Sequence, residues 1–194
     1  MTPYRDKRQE LFTRYFEQGL TFDDYLKTGS ETERGKWEMF KNKLSLNAEQ
    51  QSVISNFKRK MPVLVLSGIW CGDCARQGPM IHAIELASKV LDVRFIENKK
   101  NPELQDELRI NGAEKVPVIV ALSEDFFEVE RFGDRHLSVY RKKFASELGA
   151  ACDAGILPPA GTELETELNE WVNWFERVQL ILRLAPALRK RYND

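Results

Sequence analysis

The stretch PVLVLSGIWCGDCARQGPM, residues 62–80, runs a short apolar segment straight into two cysteines two residues apart. The run VLVLS has β-branched residues and Leu without polar interruption, as a strand buried on both faces would. Beyond the cysteines, Met80, Ile81, Ile84, Leu86 or Ala87, and Val90 recur at helical spacing and predict a core-facing helix. Cys71 and Cys74 therefore sit where a strand hands over to a helix. They can exchange electrons, hold a metal or simply fill space.

The junction favours the first of these. A thiol is a poor nucleophile until it ionises, and a helix N-terminus offers unpaired N–H groups and partial positive charge to the thiolate. Cys71, at the mouth of the helix, is the expected attacking sulfur. Cys74, one turn in on the same side, can reach back to resolve a mixed disulfide. Trp70, just before the pair, is expected to shield the site and to give substrate an apolar surface. Zinc wants four ligands, usually with a second Cys/His pair. His82, His136 and Cys152 form no recognisable spacing with the pair, so no metal site is expected. His82 reads as a core or rim histidine, Cys152 as a plain buried cysteine, and Arg76 as a solvated helical arginine.

The 194 residues suffice for one ordinary domain with additions. Residues 1–60 read as short helices: Leu11, Tyr15, Phe16 and Leu20 share a face, and Val53, Ile54 and Phe57 share another. Thr21, Ser30 and Asn47 are expected helix N-caps. This zone holds no catalytic constellation and is read as packing. Residues 61–149 alternate strand and helix signals in the order β-α-β-α-β-β-α, with VRFIE as the second strand and VPVIVAL and FFEVERF as a hairpin. That order predicts a central mixed sheet flanked by helices. In residues 150–194, Thr162 and Glu165 form a capping box. Beyond it Leu164, Leu168, Trp171, Phe175, Val178 and Leu182 make one stripe of a long helix ending or kinking near Pro186. The stripe is expected to pack back on its own domain, although a dimer through this C-terminal helix is possible.

A net charge of −1 with scattered Lys and Arg argues against nucleic acid or an anionic membrane as partner. No apolar run approaches the roughly 20 residues of a membrane helix. The opening MTPYRDKRQELF has charges where a secretory leader needs an apolar core. The expected address is cytoplasmic, where a close cysteine pair is catalytic or metal-binding more often than a structural staple.

The motif WCGDC, after a buried strand and before a helix carrying Pro79, resembles the thioredoxin superfamily, whose members carry Trp-Cys-Gly-Pro-Cys there. KVPVIVAL is similar to the family's cis-proline loop, which places Pro117, with Val116 before it, opposite the cysteines. Asn101-Pro102 and Gly133 match further family positions. The resemblance covers residues from about 60 to 148. It implies an α/β thioredoxin-like fold, here with N- and C-terminal helical extensions. It also implies a protein disulfide reductase working through Cys71 and Cys74, with Gly72 and Asp73 supporting. Trp70, Val116 and Pro117 would contact substrate, the loop offering main-chain groups to an extended segment. No cofactor is expected in the chain. The implied partners are a disulfide-containing protein substrate and a reducing partner, either an NADPH-dependent reductase or a small thiol.

Two departures stand out. Val65 occupies the position of the family's buried Asp, and the partnering Lys falls at about Phe95. Asp73 replaces the usual proline between the cysteines, and its carboxylate is expected to raise both thiol pKa values modestly; it is also a candidate proton relay. The alternative to an enzyme is an adaptor that binds a partner protein through its helical extensions, with a vestigial or regulatory CxxC.

Overall fold

The computed structural model describes residues 4–148 and 162–193, so Cys152 and the GILPPAG segment lie outside the described residues. Four helices come first: α1 (Gln9–Gln18), α2 (Phe22–Lys27), α3 (Glu31–Lys41) and α4 (Ala48–Ser55). Their starts follow the sequence. Thr21 accepts from the Asp24 N–H, and Ser30 with Glu33 and Asn47 with Gln50 close reciprocal capping boxes.

Then β1 (Met61–Ser67), α5 (Gly72–Ala87), β2 (Leu91–Glu97), a 3-10 turn at Asn98–Lys100 and α6 (Pro102–Glu107) lead to β3 (Val118–Leu122), β4 (Glu128–Gly133) and α7 (Leu137–Leu148). The strands lie in the order β2-β1-β3-β4, with β1 parallel to β2 and antiparallel to β3. A crossover through α5 joins the parallel pair and a hairpin joins β3 to β4, as the element order predicts. Val63 through Ser67 and all of β3 are buried, so helices cover both faces of the sheet. Val65 stands directly beside Phe95 in the β1–β2 register, both fully apolar and buried.

The flanking helices belong to the same packed body. Leu20 exchanges two backbone hydrogen bonds with Phe95 (3.0 and 2.8 Å), closing the outer edge of β2. Phe12, fully buried, anchors α1 together with Tyr15 and Phe16, whereas Leu11 is only half-buried and Leu20 is exposed. On α5, Leu86 points to solvent and Ala87 takes the inward position, because a residue two after Ile84 falls on the opposite face.

At the C-terminal end, α8 (Glu163–Leu184) and α9 (Pro186–Tyr192) break at Pro186. Leu168, Trp171, Phe175, Val178 and Leu182 are buried against the chain's own core, with Leu164 at the border. Gln179 fastens α8 to the approach of β1: its amide oxygen accepts from the Lys58 and Arg59 N–H groups, both at 3.1 Å, and its amide nitrogen donates to the Arg59 carbonyl at 2.8 Å. No helix among the described residues is long and apolar enough to cross a membrane.

Candidate active site

β1 ends at Ser67, and Gly68, Ile69 and Trp70 carry the chain into α5, with Cys71 as its N-cap residue. Cys71 is half-exposed and Cys74 is buried; both are free thiols that lie together at this helix end. The Gly68 N–H donates to the Cys74 sulfur at 3.4 Å. Opposite, the Val116–Pro117 peptide bond is cis, and the Cys71 sulfur lies 3.8 Å from the Val116 carbonyl oxygen. The proline loop therefore faces the cysteines. Gly133 lets the loop sit there, because a Cβ at this position would come within 2.7 Å of Ile110 Cδ1 and 3.0 Å of the Pro117 carbonyl.

The two sulfurs differ sharply. The Cys71 pKa is lowered to about 7. The hydrogen bond from the Cys74 thiol contributes most, burial opposes it, and the backbone N–H groups of Cys74 and Asp73 lower it further. Cys74 is pushed the other way, chiefly by burial and then by holding its proton toward the Cys71 sulfur. One thiol is poised to ionise near neutrality while the other keeps its proton.

Asp73 does repel the Cys71 thiolate, but this is the smallest of the contributions, so the net shift at Cys71 is downward rather than the expected rise. At Cys74 the upward shift comes chiefly from burial and then from Cys71. The Asp73 carboxylate is itself paired with Arg135, just beyond β4, whose Nη2 lies 2.6 Å from Asp73 Oδ2. Arg135→Ala is expected to unmask the carboxylate and cut the Cys71 thiolate population at pH 6 by about threefold. Iodoacetamide alkylation rates read this directly, and adding Asp73→Asn should restore them.

The other expected residues fall around the same junction. Trp70 is 44% exposed beside Cys71, with the Lys99 ammonium 4.5 Å above its ring. Val116 and Pro117 are buried at the base of the loop. Gly72 is exposed and would meet nothing with a Cβ. Arg76 is not a solvated arginine. It turns away to α8, where Nε donates to Glu167 Oε1 at 2.7 Å, and burial raises the Glu167 pKa against that pairing.

His82 is a buried histidine, stacked on Phe22 at 4.1 Å with Nδ1 3.0 Å from Glu85. His136 is buried between Phe132 and Trp171, and burial lowers its pKa to about 3, so the ring stays neutral. Among the described residues, no three His, Cys, Asp or Glu groups are placed to hold a metal ion together.

The N-terminal helices reach this site, contrary to their reading as packing alone. The buried Trp37 indole of α3 donates to the Ile69 carbonyl at 3.0 Å. Glu97 Oε2, at the end of β2, accepts from the Ile69 N–H at 3.0 Å and from the Tyr25 hydroxyl of α2 at 2.7 Å. The loop before Cys71 is thus held on both its N–H and its C=O by residues far away in sequence. No local spacing announces such contacts.

No curated protein matches the chain. Among solved structures, a protein of unknown function from Pseudomonas aeruginosa superposes with a TM-score of 0.66 at 20% identity, over 88% of this chain and 96% of that one. An HIV epitope-scaffold superposes with a TM-score of 0.62 at 19% identity, over 89% and 98%. At such identities the likeness is one of fold, and it takes in the terminal helices as well as the sheet. A family model described as thioredoxin matches residues 19–141, from just before α2 into α7. With its four-stranded mixed sheet, a cysteine pair at the β1–α5 junction and a cis-proline loop across from it, the chain belongs to the thioredoxin family.

Proposed function

We propose that the protein is a thiol–disulfide oxidoreductase that reduces disulfides in protein substrates through Cys71 and Cys74. The observation that carries this reading is the asymmetry of the two sulfurs: Cys71 half-exposed with a pKa of about 7, Cys74 buried with its proton retained. The Cys71 thiolate attacks one sulfur of a substrate disulfide; the substrate S–S bond breaks, and the first substrate sulfur leaves as a thiolate that takes up a proton. Cys74, once deprotonated, attacks the Cys71 sulfur. The bond from Cys71 to the substrate breaks, the second substrate thiolate leaves, and the Cys71–Cys74 disulfide forms.

A reducing partner of the flavin-dependent NADPH reductase class, or a small thiol, returns the pair to dithiol. Trp70 offers an apolar surface beside the attacking sulfur, and the Val116–Pro117 loop offers main-chain groups to an extended substrate segment. A reducing, cytoplasmic setting suits a pair of free thiols in this role.

Dithiothreitol-coupled reduction of insulin tests the proposal. The parent protein is expected to accelerate reduction well above the thiol alone, and Cys71→Ser to bring it back to that background. Cys71 alkylation should follow a single titration with its midpoint near pH 7, slow below and fast above, because only the thiolate reacts. Weak turnover unchanged by Cys71→Ser would instead support the adaptor reading.

A further inference from the structure

Resting on that reading, Cys74 faces a problem that the sequence motif leaves open. It must lose its proton before it can attack Cys71, yet its sulfur is buried and burial favours the thiol. The strand wall beneath, Val65 and Phe95, is apolar. Asp73, the nearest carboxylate in sequence, is engaged by Arg135 on the opposite rim.

The polar groups that do face the Cys74 side come from three elements. Ser67, buried at the end of β1, immediately precedes Gly68, whose N–H donates to the Cys74 sulfur at 3.4 Å, and its hydroxyl is the side-chain hydrogen-bonding neighbour of that sulfur and of the Tyr25 hydroxyl. Tyr25, of α2, is 1% exposed, with its ring stacked on Phe95 and edge-on to Trp37. Its hydroxyl donates to Glu97 Oε2 at 2.7 Å, and Glu97, at the end of β2, is half-exposed. Burial holds the tyrosine in its protonated, neutral form, so it can pass a proton without keeping a charge. Cys71 is the remaining titratable neighbour.

We infer that Ser67, Tyr25 and Glu97 form the proton route of Cys74, with Glu97 as terminal acceptor and the two hydroxyls as carriers. The Cys74 proton passes to Ser67 Oγ, the Ser67 proton to the Tyr25 oxygen and the Tyr25 proton to Glu97 Oε2. Each hydroxyl gains one proton and loses one. The electron pair left on the Cys74 sulfur forms the bond to Cys71, and Glu97 releases its proton to solvent. The route runs backwards when the Cys71–Cys74 disulfide is reduced. Tyr25 lies in a helix outside the sheet motif, which gives the N-terminal helices a part in the chemistry.

Stopped-flow reaction of the reduced protein with an aromatic disulfide (5,5′-dithiobis-2-nitrobenzoate) separates the two steps. The first thionitrobenzoate is released by Cys71 attack and the second by Cys74 attack. Glu97→Gln keeps an oxygen to accept from Tyr25 and Ile69, and Tyr25→Phe keeps the ring packing. Both variants are expected to slow the second release at pH 7 by about tenfold or more, with the gap closing toward pH 10 as hydroxide takes the proton instead. The first release should stay within about twofold. A second release as fast as the parent's at every pH would overturn the relay. So would an equal slowing of both releases with no change in pH profile, which would mark Glu97 and Tyr25 as loop supports alone. If the parent itself released no second thionitrobenzoate, the oxidoreductase reading would fail and the relay with it; a biphasic parent with parent-like variants would sink only the relay.

Discussion

Replacing Cys74 by serine is expected to stop the protein at its mixed disulfide and to lower steady-state insulin reduction by about 100-fold or more. The first exchange needs only Cys71, so the variant should still release one equivalent of thionitrobenzoate and then stall. Substrate proteins should remain covalently attached to Cys71 and run as adducts on non-reducing gels.

The same position tests what stabilises the Cys71 thiolate. The hydrogen bond from Cys74 is the largest contribution lowering the Cys71 pKa. A serine hydroxyl can donate in its place, so Cys74→Ser should keep the alkylation midpoint near pH 7. Cys74→Ala removes the donor and should move the midpoint up, with roughly tenfold slower alkylation at pH 6. Equal midpoints in the two variants would show that the helix N–H groups of Asp73 and Cys74, rather than the neighbouring thiol, set the reactivity.

The parts of this site that a reader of the sequence can find are those with local signatures. A continuous apolar run, two cysteines at one helical turn and a Val-Pro before a second apolar run locate β1, the α5 N-terminus and the cis-proline loop. Capping pairs fix the starts of α2, α3, α4 and α8 for the same reason, since each is a contact three residues long.

What sequence reading misses is long-range and polar. The Arg135–Asp73 pair spans 62 positions, and the upward push of the carboxylate on Cys71 is outweighed by the Cys74 hydrogen bond and the backbone N–H groups. Tyr25 meets Glu97 across 72 positions, and neither residue has a spacing that points to a thiol. Arg76 looks like an exposed helical charge until α8 brings Glu167 against it. Helical periodicity says which face is buried; it is silent on which buried tyrosine bonds which carboxylate.

Gly78→Ala is expected to destabilise the protein, because two opposing contributions do not cancel. In an ordinary helix interior, alanine for glycine gains about 1 kcal/mol from backbone entropy. Gly35, exposed in the middle of α3 with open space where its Cβ would be, should show that gain. Gly78 is different. A Cβ there would sit 2.1 Å from Trp37 Cζ3 and 2.8 Å from Cη2, far inside contact distance. The indole cannot step aside: it is fully buried, packed against Tyr25 and Phe22 at 5.6 and 6.0 Å, and tied through its N–H to the Ile69 carbonyl.

Overpacking of about 3 kcal/mol or more therefore outweighs the propensity gain, for a net loss of roughly 2 kcal/mol and a Tm lower by about 4–8 °C. Thermal unfolding followed by circular dichroism should show Gly35→Ala rising and Gly78→Ala falling. In the double variant Gly78→Ala/Trp37→Phe, the smaller ring makes room for the new methyl, so the two losses should be less than additive by about 1 kcal/mol or more. Full additivity would mean that α3 and α5 can move apart freely. The Ile69 carbonyl, and with it the loop leading to Cys71, would then not depend on Trp37 for its position.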